Sequence, residues 1–426
     1  MPDDIDVLLI STYDTDGAGK FTQSLAGSLR ALGYSVRVVC VRHRSDSPDT
    51  VGLLDGKPLR QFIYRLWEEF DRRVSRPREE YAFIHLRKLS DRFVLSADVW
   101  PKSCRFIICT FMSGMLSPEA LLELHIRFGN PPTLFYGVDM NFYTGGCHYA
   151  RDCLGYHHQC RECPAIPRRL RPAVQREFIA KQACYQRITG HIVVSSSRDH
   201  HHQILSSTLF RKSEVRLLLM AVDENLYGTF EADRDDLREA RGFSKRVLLL
   251  RSSSEPRKGC DMFVEAIFLL KRQAPDTLER LEIVTVGDYY VEQCLEDSNV
   301  RVRSLGYVHD EVQLARVYAI ADCFVNPTLA DAGPVMLAQA LMSGTPVITT
   351  EVGLAQDLVS TPDNGWILAQ TRAQDLVDAI KRLSDLPDRA LRAMRLRARR
   401  LAKDQMGTKQ YLENLSSLMN SLTERT

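Results

Sequence analysis

The chain has 426 residues, of which 44% are hydrophobic and 26% charged, and its formal net charge is +2. These proportions exclude a disordered chain, a fibre and a disulfide-dense miniprotein, and the balanced charge gives no reason to expect nucleic acid as a partner. The length predicts two domains. No stretch approaches the roughly 18 uncharged apolar residues of a membrane-spanning helix, and the acidic start MPDD is unlike a signal peptide. We therefore expect a cytoplasmic protein.

The first part of the chain alternates strand, helix and strand. Asp6–Ser11 has the pattern of a buried strand, Phe21–Leu32 that of an amphipathic helix, and Tyr34–Val41 that of a second strand. A charged stretch, 55–95, is predicted to be largely helical. A second alternating series starts at Arg246–Leu250. Since this alternation is typical of parallel sheets, we predict an α/β protein with two Rossmann-like, doubly wound domains that face a cleft.

The loop Asp14–Lys20 follows the first predicted strand and leads into a helix. Gly17 and Gly19 would let a ligand approach the backbone there, where the helix start offers free N–H groups to an anion. An ordinary strand-to-helix turn explains the same residues equally well.

A second loop, after the strand Arg246–Leu250, combines positive charge with glycine. It holds Arg251, Arg257 and Lys258, and Gly259 precedes the next helix. A diphosphate could bind at this position, with Lys258 as a point charge and an arginine as a second cation. A solvated basic loop is the alternative.

The segment NPTLADAGPVMLAQALMSGTPVI, residues 326–348, resembles a motif of the retaining GT-B glycosyltransferases of family four. That family has Glu-x7-Glu followed by Ala-x3-Gly-x-Pro-Val, and here Asp331 stands at the first acid and Gln339 at the second. The resemblance continues in chain order through these further segments: Gly17 with Gly19, Arg257-Lys258-Gly259, Val286-Gly287, Leu305-Gly306, Ala321-Asp322, Ala340 to Val347, Glu351 to Gly353, and Asp357. Ala221 to Asp223 stands where the family crosses between its domains.

The resemblance implies a role for each matching residue. The diphosphate of a nucleotide-sugar would lie against Arg257, Lys258 and the helix start near Gly333, and Asp331 would engage sugar hydroxyls. The implied catalytic residues are Asp331, Lys258, Arg257 and Asp139. The implied donor-binding residues are Gly17, Gly19, Arg251, Ser252, Gly333, Pro334, Val335 and Gln339.

The resemblance also implies the domain plan. Residues 1–218 would form the acceptor domain, with a cysteine-rich insert at 145–164, and residues 219–395 the nucleotide-sugar domain. Residues 396–426 would be helices that pack back on the first domain. Closure of the two domains would bring the Gly17–Gly19 loop toward the diphosphate and exclude water.

One motif departs from the nearest subgroup, which resembles exopolysaccharide and colanic-acid enzymes and has Leu-His-Asp-x-Trp-Pro-Phe-Thr-Gly. Here the segment 136–145 reads YGVDMNFYTG, so Val138 replaces the histidine that lines the family's cleft, while Asp139 and Thr144 remain.

We predict a retaining glycosyltransferase that uses a UDP- or GDP-sugar, needs no catalytic metal, and acts on a glycan, a lipid-linked molecule or a protein. One alternative is a catalytically altered relative that serves as a binding or scaffold protein. A sugar-nucleotide hydrolase or epimerase of the same architecture is another.

Four cysteines lie within a short stretch, and they are Cys147, Cys153, Cys160 and Cys163. Four soft ligands this close, two of them in a C-x2-C pair, favour a structural zinc site, and the same subgroup shares this cysteine-rich loop. His148, His157 and His158 are alternate ligands for such a site. Reduced thiols that pack a long loop, or a disulfide, are the alternatives to zinc.

Two basic stretches, 168–181 and 389–403, raise the question of a membrane surface. A solvated helix face explains both, and contact with anionic lipid on the inner face of the membrane is the sharper alternative. The oligomeric state stays open.

Overall fold

The computed structural model describes residues 4–75, 78, 81–83 and 88–424. Part of the stretch predicted to be helical, at 76–77, 79–80 and 84–87, lies outside the described residues, as do the last two residues of the predicted tail helices. The chain forms two compact units. Unit 1 comprises Met1–Ser196, His200–Leu218 and Leu412–Thr426, and unit 2 comprises Ser197–Asp199 and Leu219–Tyr411.

The strands, in chain order, are β1 (Asp4–Ser11), β2 (Val36–Cys40), β3 (Thr50–Gly52), β4 (Ala82–Phe83), β5 (Ser103–Phe111), β6 (Thr133–Phe135), β7 (Cys147–Tyr149), β8 (Ile192–Ser195), β9 (Val215–Leu217), β10 (Arg246–Ser252), β11 (Leu281–Gly287), β12 (Val302–Ser304), β13 (Cys323–Asn326), β14 (Val347–Thr349) and β15 (Gly365–Ile367).

The α-helices are α1 (Asp16–Ala31), α2 (Pro58–Ser75), α3 (Asp91–Leu95), α4 (Pro118–Arg127), α5 (Arg171–Tyr185), α6 (Arg198–Ser206), α7 (Arg234–Ala240), α8 (Cys260–Gln273), α9 (Pro275–Glu279), α10 (Tyr290–Leu295), α11 (Glu311–Ile320), α12 (Val335–Met342), α13 (Ala355–Leu358), α14 (Ala373–Asp385), α15 (Asp388–Met406) and α16 (Thr408–Thr423).

Each unit is built around one parallel sheet. The order in unit 1 is β3-β2-β1-β5-β6-β8-β9, and the order in unit 2 is β12-β11-β10-β13-β14-β15. The short pair β4 and β7 is antiparallel and stands apart from both sheets. The central strands are buried on both faces, which is why they read as continuous apolar runs such as VLLI in β1 and VLLL in β10. The prediction of two doubly wound, parallel α/β units is therefore confirmed.

Local signals explain where several helices begin and end. Gly33, with φ +91°, follows α1 and donates its N–H to the Arg30 carbonyl, which is a left-handed helix stop that glycine adopts at no steric cost. The Asp310 carboxylate accepts the N–H groups of Val312 and Gln313 and so caps α11. Within the described part of the chain, no helix is long and apolar enough to cross a membrane.

Candidate active site

The sheet order of unit 2 creates a meeting point between β10 and β13. From β10 the chain proceeds outward to β11 and β12, and it then returns to β13 on the other side and continues to β14 and β15. In such sheets the loops that leave the two central strands diverge and open a crevice at their carboxyl ends. The loops 253–258 and 327–331 occupy this position.

The two loops are joined by a buried ion pair. The Lys258 ammonium lies 2.8 Å from Oδ2 of Asp331, and only 11% and 10% of these two side chains are exposed. The Arg257 guanidinium approaches the same oxygen at 3.4 Å. The structure thus brings together three of the four residues that the sequence predicted to be catalytic.

The surroundings set the charge state of the pair. Burial alone would raise the pKa of Asp331, but the positive charges of Lys258 and Arg257 outweigh it and lower that pKa. Burial, opposed by Asp331, lowers the pKa of Lys258, and Arg257 and Arg251 lower it further. Asp331 is therefore held as a carboxylate, and the nearby cations outnumber it.

Gly259 fixes the conformation of the loop that carries Arg257 and Lys258. Gly259 has φ +68°, and a Cβ built on it would lie 1.9 Å from the Pro327 carbonyl oxygen. A second tie is the hydrogen bond from the Leu329 N–H to the Arg257 carbonyl, at 2.7 Å. Because any side chain at 259 would push the two loops apart, glycine is required there.

Arg251 and Ser252 end strand β10 beside this cluster. The Arg251 side chain is half-buried, and its charge contributes to lowering the pKa of Lys258. The Ser252 hydroxyl is fully buried, where it donates to Asp288 at 3.2 Å and accepts the Val291 N–H at 3.0 Å. Arg251 thus adds positive charge to the site, whereas Ser252 anchors a neighbouring loop.

The loop that carries Asp331 leads through Gly333 and Pro334 into α12. The Gly333 N–H donates to Oδ1 of Asp331 at 3.2 Å. Pro334 is buried, and Val335, the first residue of α12, is 39% exposed. Gln339 lies one turn further on. Its Oε1 accepts from the Tyr318 hydroxyl at 3.3 Å, and its Nε2 donates to the Tyr227 hydroxyl at 2.8 Å.

Three residues from the first half of the chain, Ser197–Asp199, belong to unit 2 and lie beside the loop that carries Asp331. Ser197 donates its hydroxyl to the Ala332 carbonyl at 2.7 Å, and the Asp199 carboxylate accepts the Gly353 N–H at 2.9 Å. Gly353 packs close to the Asp331 carbonyl. This three-residue segment, Ser197–Asp199, supports the loop that carries Asp331.

Gly17 and Gly19 lie in unit 1, at the start of α1. Gly17 is exposed, and a Cβ there would meet nothing within 4 Å. At Gly19 a Cβ would lie 2.4 Å from the Asp14 carbonyl carbon. The Asp14 carboxylate accepts the N–H groups of Arg44 and Ser45, so this loop is tied to the segment after β2. Close packing against the Asp14 backbone explains the glycine at position 19. At Gly17 the backbone is exposed and no side chain covers it.

Asp139, the fourth predicted catalytic residue, pairs with His148, which the sequence analysis considered only as an alternate metal ligand. Its Oδ2 hydrogen-bonds to Nδ1 of His148, and its Oδ1 accepts the Asn141 N–H at 2.9 Å. The His148 ring stacks on Phe111 with centroids 4.8 Å apart. In the described residues the buried Nε2 of His148 has no hydrogen-bond partner.

The Asp139–His148 pair lies at the corresponding meeting point of the unit 1 sheet. Phe111 ends β5, and Thr12, which follows the adjacent β1, donates its N–H to the Phe111 carbonyl at 2.6 Å. The chain runs from β1 to β2 and β3 on one side, and from β5 to β6 and beyond on the other. Each unit therefore carries a polar pair where its sheet order reverses.

A buried lysine holds the loop between Asp139 and His148. The Lys181 ammonium donates to the carbonyls of Asn141, at 2.6 Å, and Thr144, at 3.1 Å, and lies 3.7 Å from Glu177. Burial lowers the pKa of Lys181 to about 8. This lysine fixes the backbone of the loop 139–148.

The prediction of a structural zinc site is not supported. Across the described residues, no group of three or more His, Cys, Asp or Glu side chains is arranged to hold a metal ion. The thiols have other partners, since Cys147 hydrogen-bonds to Cys163, Cys160 accepts the Gly145 N–H at 3.3 Å, and Cys153 accepts the Gly155 N–H at 3.4 Å. All eleven cysteines are free. The structure therefore matches the alternative of reduced thiols that pack the loop 145–164.

The hydrogen bond between Cys147 and Cys163 shifts the pKa values of the two thiols in opposite directions. Because the Cys147 thiol donates to Cys163, and because the Ala165 and Ile166 N–H groups add further hydrogen bonds, the pKa of Cys163 falls to about 7. The same hydrogen bond and burial raise the pKa of Cys147 well above its usual value.

Comparison with solved structures identifies the fold. The chain superposes over 99% of its length on sucrose-phosphate synthase from Thermosynechococcus elongatus, with a TM-score of 0.69, 17% identity and 100% of that chain covered. It superposes over 98% of its length on Anabaena HepE in complex with UDP and glucose, with a TM-score of 0.62, 15% identity and 100% coverage of that chain. Two parallel-sheet units in this arrangement of strands define the GT-B fold.

Comparison by sequence gives matches within the C-terminal half of the chain. Residues 244–385 match the family model described as "Glycosyl transferases group 1". Mannosylfructose-phosphate synthase of Agrobacterium fabrum is 24% identical over 190 residues, 42% of this chain, and a D-inositol 3-phosphate glycosyltransferase of Catenulispora acidiphila is 27% identical over 169 residues, 37% of this chain. The matched stretch spans 40% of the length of each relative. Residues 244–385 of unit 2 are therefore similar to group 1 glycosyl transferases.

Proposed function

We propose that this protein is a retaining glycosyltransferase that transfers a sugar from a nucleotide-sugar to a hydroxyl of a glycan-type acceptor. The observation that carries the proposal is the buried Lys258–Asp331 pair, with Arg257 beside it, at the crevice of a domain similar to group 1 glycosyl transferases. Unit 2 would bind the donor and unit 1 the acceptor. The donor class that we propose is a UDP-sugar, since the related fold of HepE was solved with UDP-glucose.

The geometry suits the charge that develops in such a transfer. The C1–O bond to the diphosphate breaks, the acceptor oxygen bonds to C1 on the same face, and the acceptor proton passes to the departing phosphate oxygen. Lys258, Arg257 and the N–H groups at the start of α12 would stabilise the negative charge on that phosphate. These groups are already fixed by loop contacts, so little reorganisation is needed when the bond breaks.

Asp331 would have two roles. Without donor it neutralises Lys258, and with donor its carboxylate would accept hydrogen bonds from sugar hydroxyls while Lys258 turns to the diphosphate. Gln339 would contribute less than the second acid of the family, because both ends of its amide already bond to tyrosines.

Unit 1 would contribute His148. With Nδ1 held by Asp139, its Nε2 is directed away from that carboxylate, and it has no partner in the described part of the chain. A buried polar atom without a hydrogen bond costs about 1–3 kcal/mol, which a ligand hydroxyl would recover. We therefore propose that His148 binds a substrate hydroxyl, in a motif where Val138 has replaced the family histidine.

Calorimetric titration with a panel of UDP-, GDP- and ADP-sugars tests donor binding, and product analysis with and without acceptor tests transfer. We expect Lys258→Ala to weaken the binding of the preferred donor about 10- to 100-fold, the value of one charge-assisted contact. Lys245→Ala, at an exposed lysine of the same unit, is the matched control and should bind normally. Equal binding by both variants would contradict the assignment of the site.

A second candidate is a non-catalytic, donor-binding protein, which the occupied amide of Gln339 favours. Donor binding without product under any acceptor condition would select it. A nucleotide and free sugar formed equally with and without acceptor would instead identify a hydrolase.

A further inference from the structure

Arg42 stands at the carboxyl edge of the unit 1 sheet with an incomplete set of partners. It lies two residues after β2, and only 13% of its side chain is exposed. Its Nη1 atom is buried and has no hydrogen-bond partner among the residues that the structure describes. Because a buried donor without a partner is unfavourable, a ligand that offers an acceptor to this guanidinium would be stabilised there.

The contacts that Arg42 does make are long. Its Nη2 lies 3.9 Å from Oε2 of Glu68, whereas a charge-assisted hydrogen bond of this kind is about 2.7–2.9 Å. The guanidinium carbon lies 6.0 Å from the centroid of the Tyr64 ring, at the outer limit of a cation–π contact. Arg395 shows the contrast, since it donates to Glu231 at 2.9 Å and to two backbone carbonyls. Arg42 is therefore positioned by its neighbours, but hydrogen bonds do not saturate it.

The charges around Arg42 favour an anion. Burial lowers the pKa of Arg42, and so do the positive charges of Arg44 and Arg65, while the carboxylate of Glu68 acts in the opposite direction. The Asp14 carboxylate, which lies in the neighbouring loop, already accepts two backbone N–H groups. An oxyanion next to Arg42 would therefore compensate a half-buried positive charge that Glu68 compensates only in part.

Aromatic rings extend from the side of Arg42 to His148 across the strand ends. Tyr13 follows β1, and its ring centroid lies 5.5 Å from that of Phe111, which ends β5. The Phe111 ring in turn stacks on His148. Tyr13 and Phe111 are both partly exposed, and aromatic faces are surfaces on which the apolar C–H faces of a sugar can pack.

The sheet order sets the length of this surface. The strands β2, β1 and β5 are neighbours in the sheet, and adjacent strands are about 4.8 Å apart. The ends of β2 and β5 are therefore about 10 Å apart, with Tyr13 between them. This span suits one sugar residue that carries a charged substituent.

We infer that the acceptor is an acidic sugar whose carboxylate or phosphate binds Arg42 while its ring lies on Tyr13 and Phe111. The planar guanidinium can offer two parallel N–H groups to either oxyanion. The inference rests on the proposed function, because it takes the hydroxyl that binds His148 to be that of the acceptor. It adds the chemical class of the acceptor, and it makes Glu68 a carboxylate that competes with the substrate for Arg42.

Binding of three small sugars to the full chain tests the inference. The probes are glucose, glucuronate and glucose 6-phosphate, which share a ring and differ in charge. In calorimetric titrations, one of the two charged sugars should bind at least about 10-fold more tightly than glucose, the value of one charge-assisted contact. A preference for glucuronate would identify a carboxylate, and a preference for glucose 6-phosphate would identify a phosphate.

Arg42→Gln should remove the preference for the charged sugar and leave the weak binding of glucose unchanged. The matched control is Arg92→Gln, at an exposed arginine of α3 in the same unit, which should bind as the parent protein does. Because Lys258 and Arg257 are intact in both variants, charged sugars that bind at those residues would not produce this difference.

Glu68→Gln separates a binding role of Arg42 from a structural one. Removal of the competing carboxylate should tighten the binding of the preferred charged sugar about 2- to 5-fold, the value of a partly exposed ion pair, and should not affect glucose. If Arg42 and Glu68 only stabilised the fold, this variant would unfold more readily without any gain in affinity.

Equal binding of the three sugars by the parent protein, no binding of either charged sugar at millimolar concentration, or an undiminished preference in Arg42→Gln would each overturn the inference. Donor titrations decide the proposed function separately, since Arg42 lies in unit 1 and should not affect them. Failure of every nucleotide-sugar to bind would count against transfer. Donor binding without a preference for a charged sugar would count only against the acidic acceptor.

Discussion

At the scale of single residues, the candidate site depends on pairs whose members constrain each other. Lys258 without Asp331 would be a buried, uncompensated cation, and Asp331 without Lys258 a buried anion, so each keeps the other charged and in place. In unit 1, Asp139 and His148 are joined by a hydrogen bond that orients both side chains. Resemblance to a family motif predicted Asp331, Lys258 and Asp139, but it did not predict His148, because only the folded loop shows which histidine Asp139 holds.

We expect His148→Asn to lower kcat/KM by about 10-fold, since the asparagine amide can replace Nδ1 as the donor to Asp139 but offers nothing at the position of Nε2. Steady-state kinetics and thermal unfolding, measured on the same preparation, check this. His202→Asn, at an exposed histidine of unit 1, should leave both unchanged. If kcat/KM of His148→Asn equals that of the parent protein, Nε2 does not contact substrate.

At the scale of elements, the predictions from the sequence are most accurate where the residue pattern of a strand or helix defines the whole element. The predicted strands Asp6–Ser11 and Arg246–Leu250 are found as β1 (Asp4–Ser11) and β10 (Arg246–Ser252), because continuous apolar runs define them locally. The three-residue edge strands β3 and β15 were missed. Their pairing is set by the neighbouring strand, and three residues carry too little pattern to reveal it.

The loop 139–148 illustrates the same limit for the site. Its conformation depends on Lys181, about forty residues away in the sequence, and on the thiol of Cys160. Close cysteine spacing suggested a metal, but spacing alone does not show how thiols are oriented. The orientation came from the fold, which directs them to each other and to backbone N–H groups.

We expect the buried charge of Lys181 to give the protein a pH-dependent stability. The pKa of Lys181 is about 8 in the folded protein and close to 10.5 when unfolded, so between these values the unfolded chain binds more protons. The free energy of unfolding, taken relative to Lys181→Met, should therefore rise as pH increases from about 8 toward 10.5, by at most about 1.4 kcal/mol per pH unit.

Urea unfolding of the parent protein and of Lys181→Met at several pH values measures this difference. A difference that stays constant through the window would show that Lys181 keeps an ordinary pKa in the folded state. Lys245→Met, at an exposed lysine, should follow the parent protein throughout.

At the scale of the whole molecule, the end of the chain belongs to the unit that contains its beginning. Leu412–Thr426 is part of unit 1, and within it Leu415, Met419 and Leu422 are fully buried while Leu418 is 4% exposed. Unit 1 is thus complete only after the last helix has been made. Its core depends on residues separated by almost the full length of the sequence.

Leu415→Ala should lower the free energy of unfolding of unit 1 by about 2–5 kcal/mol, because it removes a fully buried side chain and leaves a cavity. Unit 2 should be unaffected. Amide hydrogen exchange read separately in β5 and β11 distinguishes the two units, and faster exchange in both strands would contradict the assignment of this helix to unit 1. Leu396→Ala, at a side chain that is 67% exposed, should change neither.

The assignment of the segment Ser197–Asp199 to unit 2 affects how this chain could be recombined with its relatives. The family match covers 244–385, yet unit 2 also contains these three residues, which support the Asp331 loop through Ala332 and Gly353. A chimaera that exchanged only residues 244–385 would combine the corresponding loop of a relative with Ser197–Asp199 of this chain. Replacing the Asp331 loop would therefore require both pieces to be exchanged together, although they are far apart in the sequence.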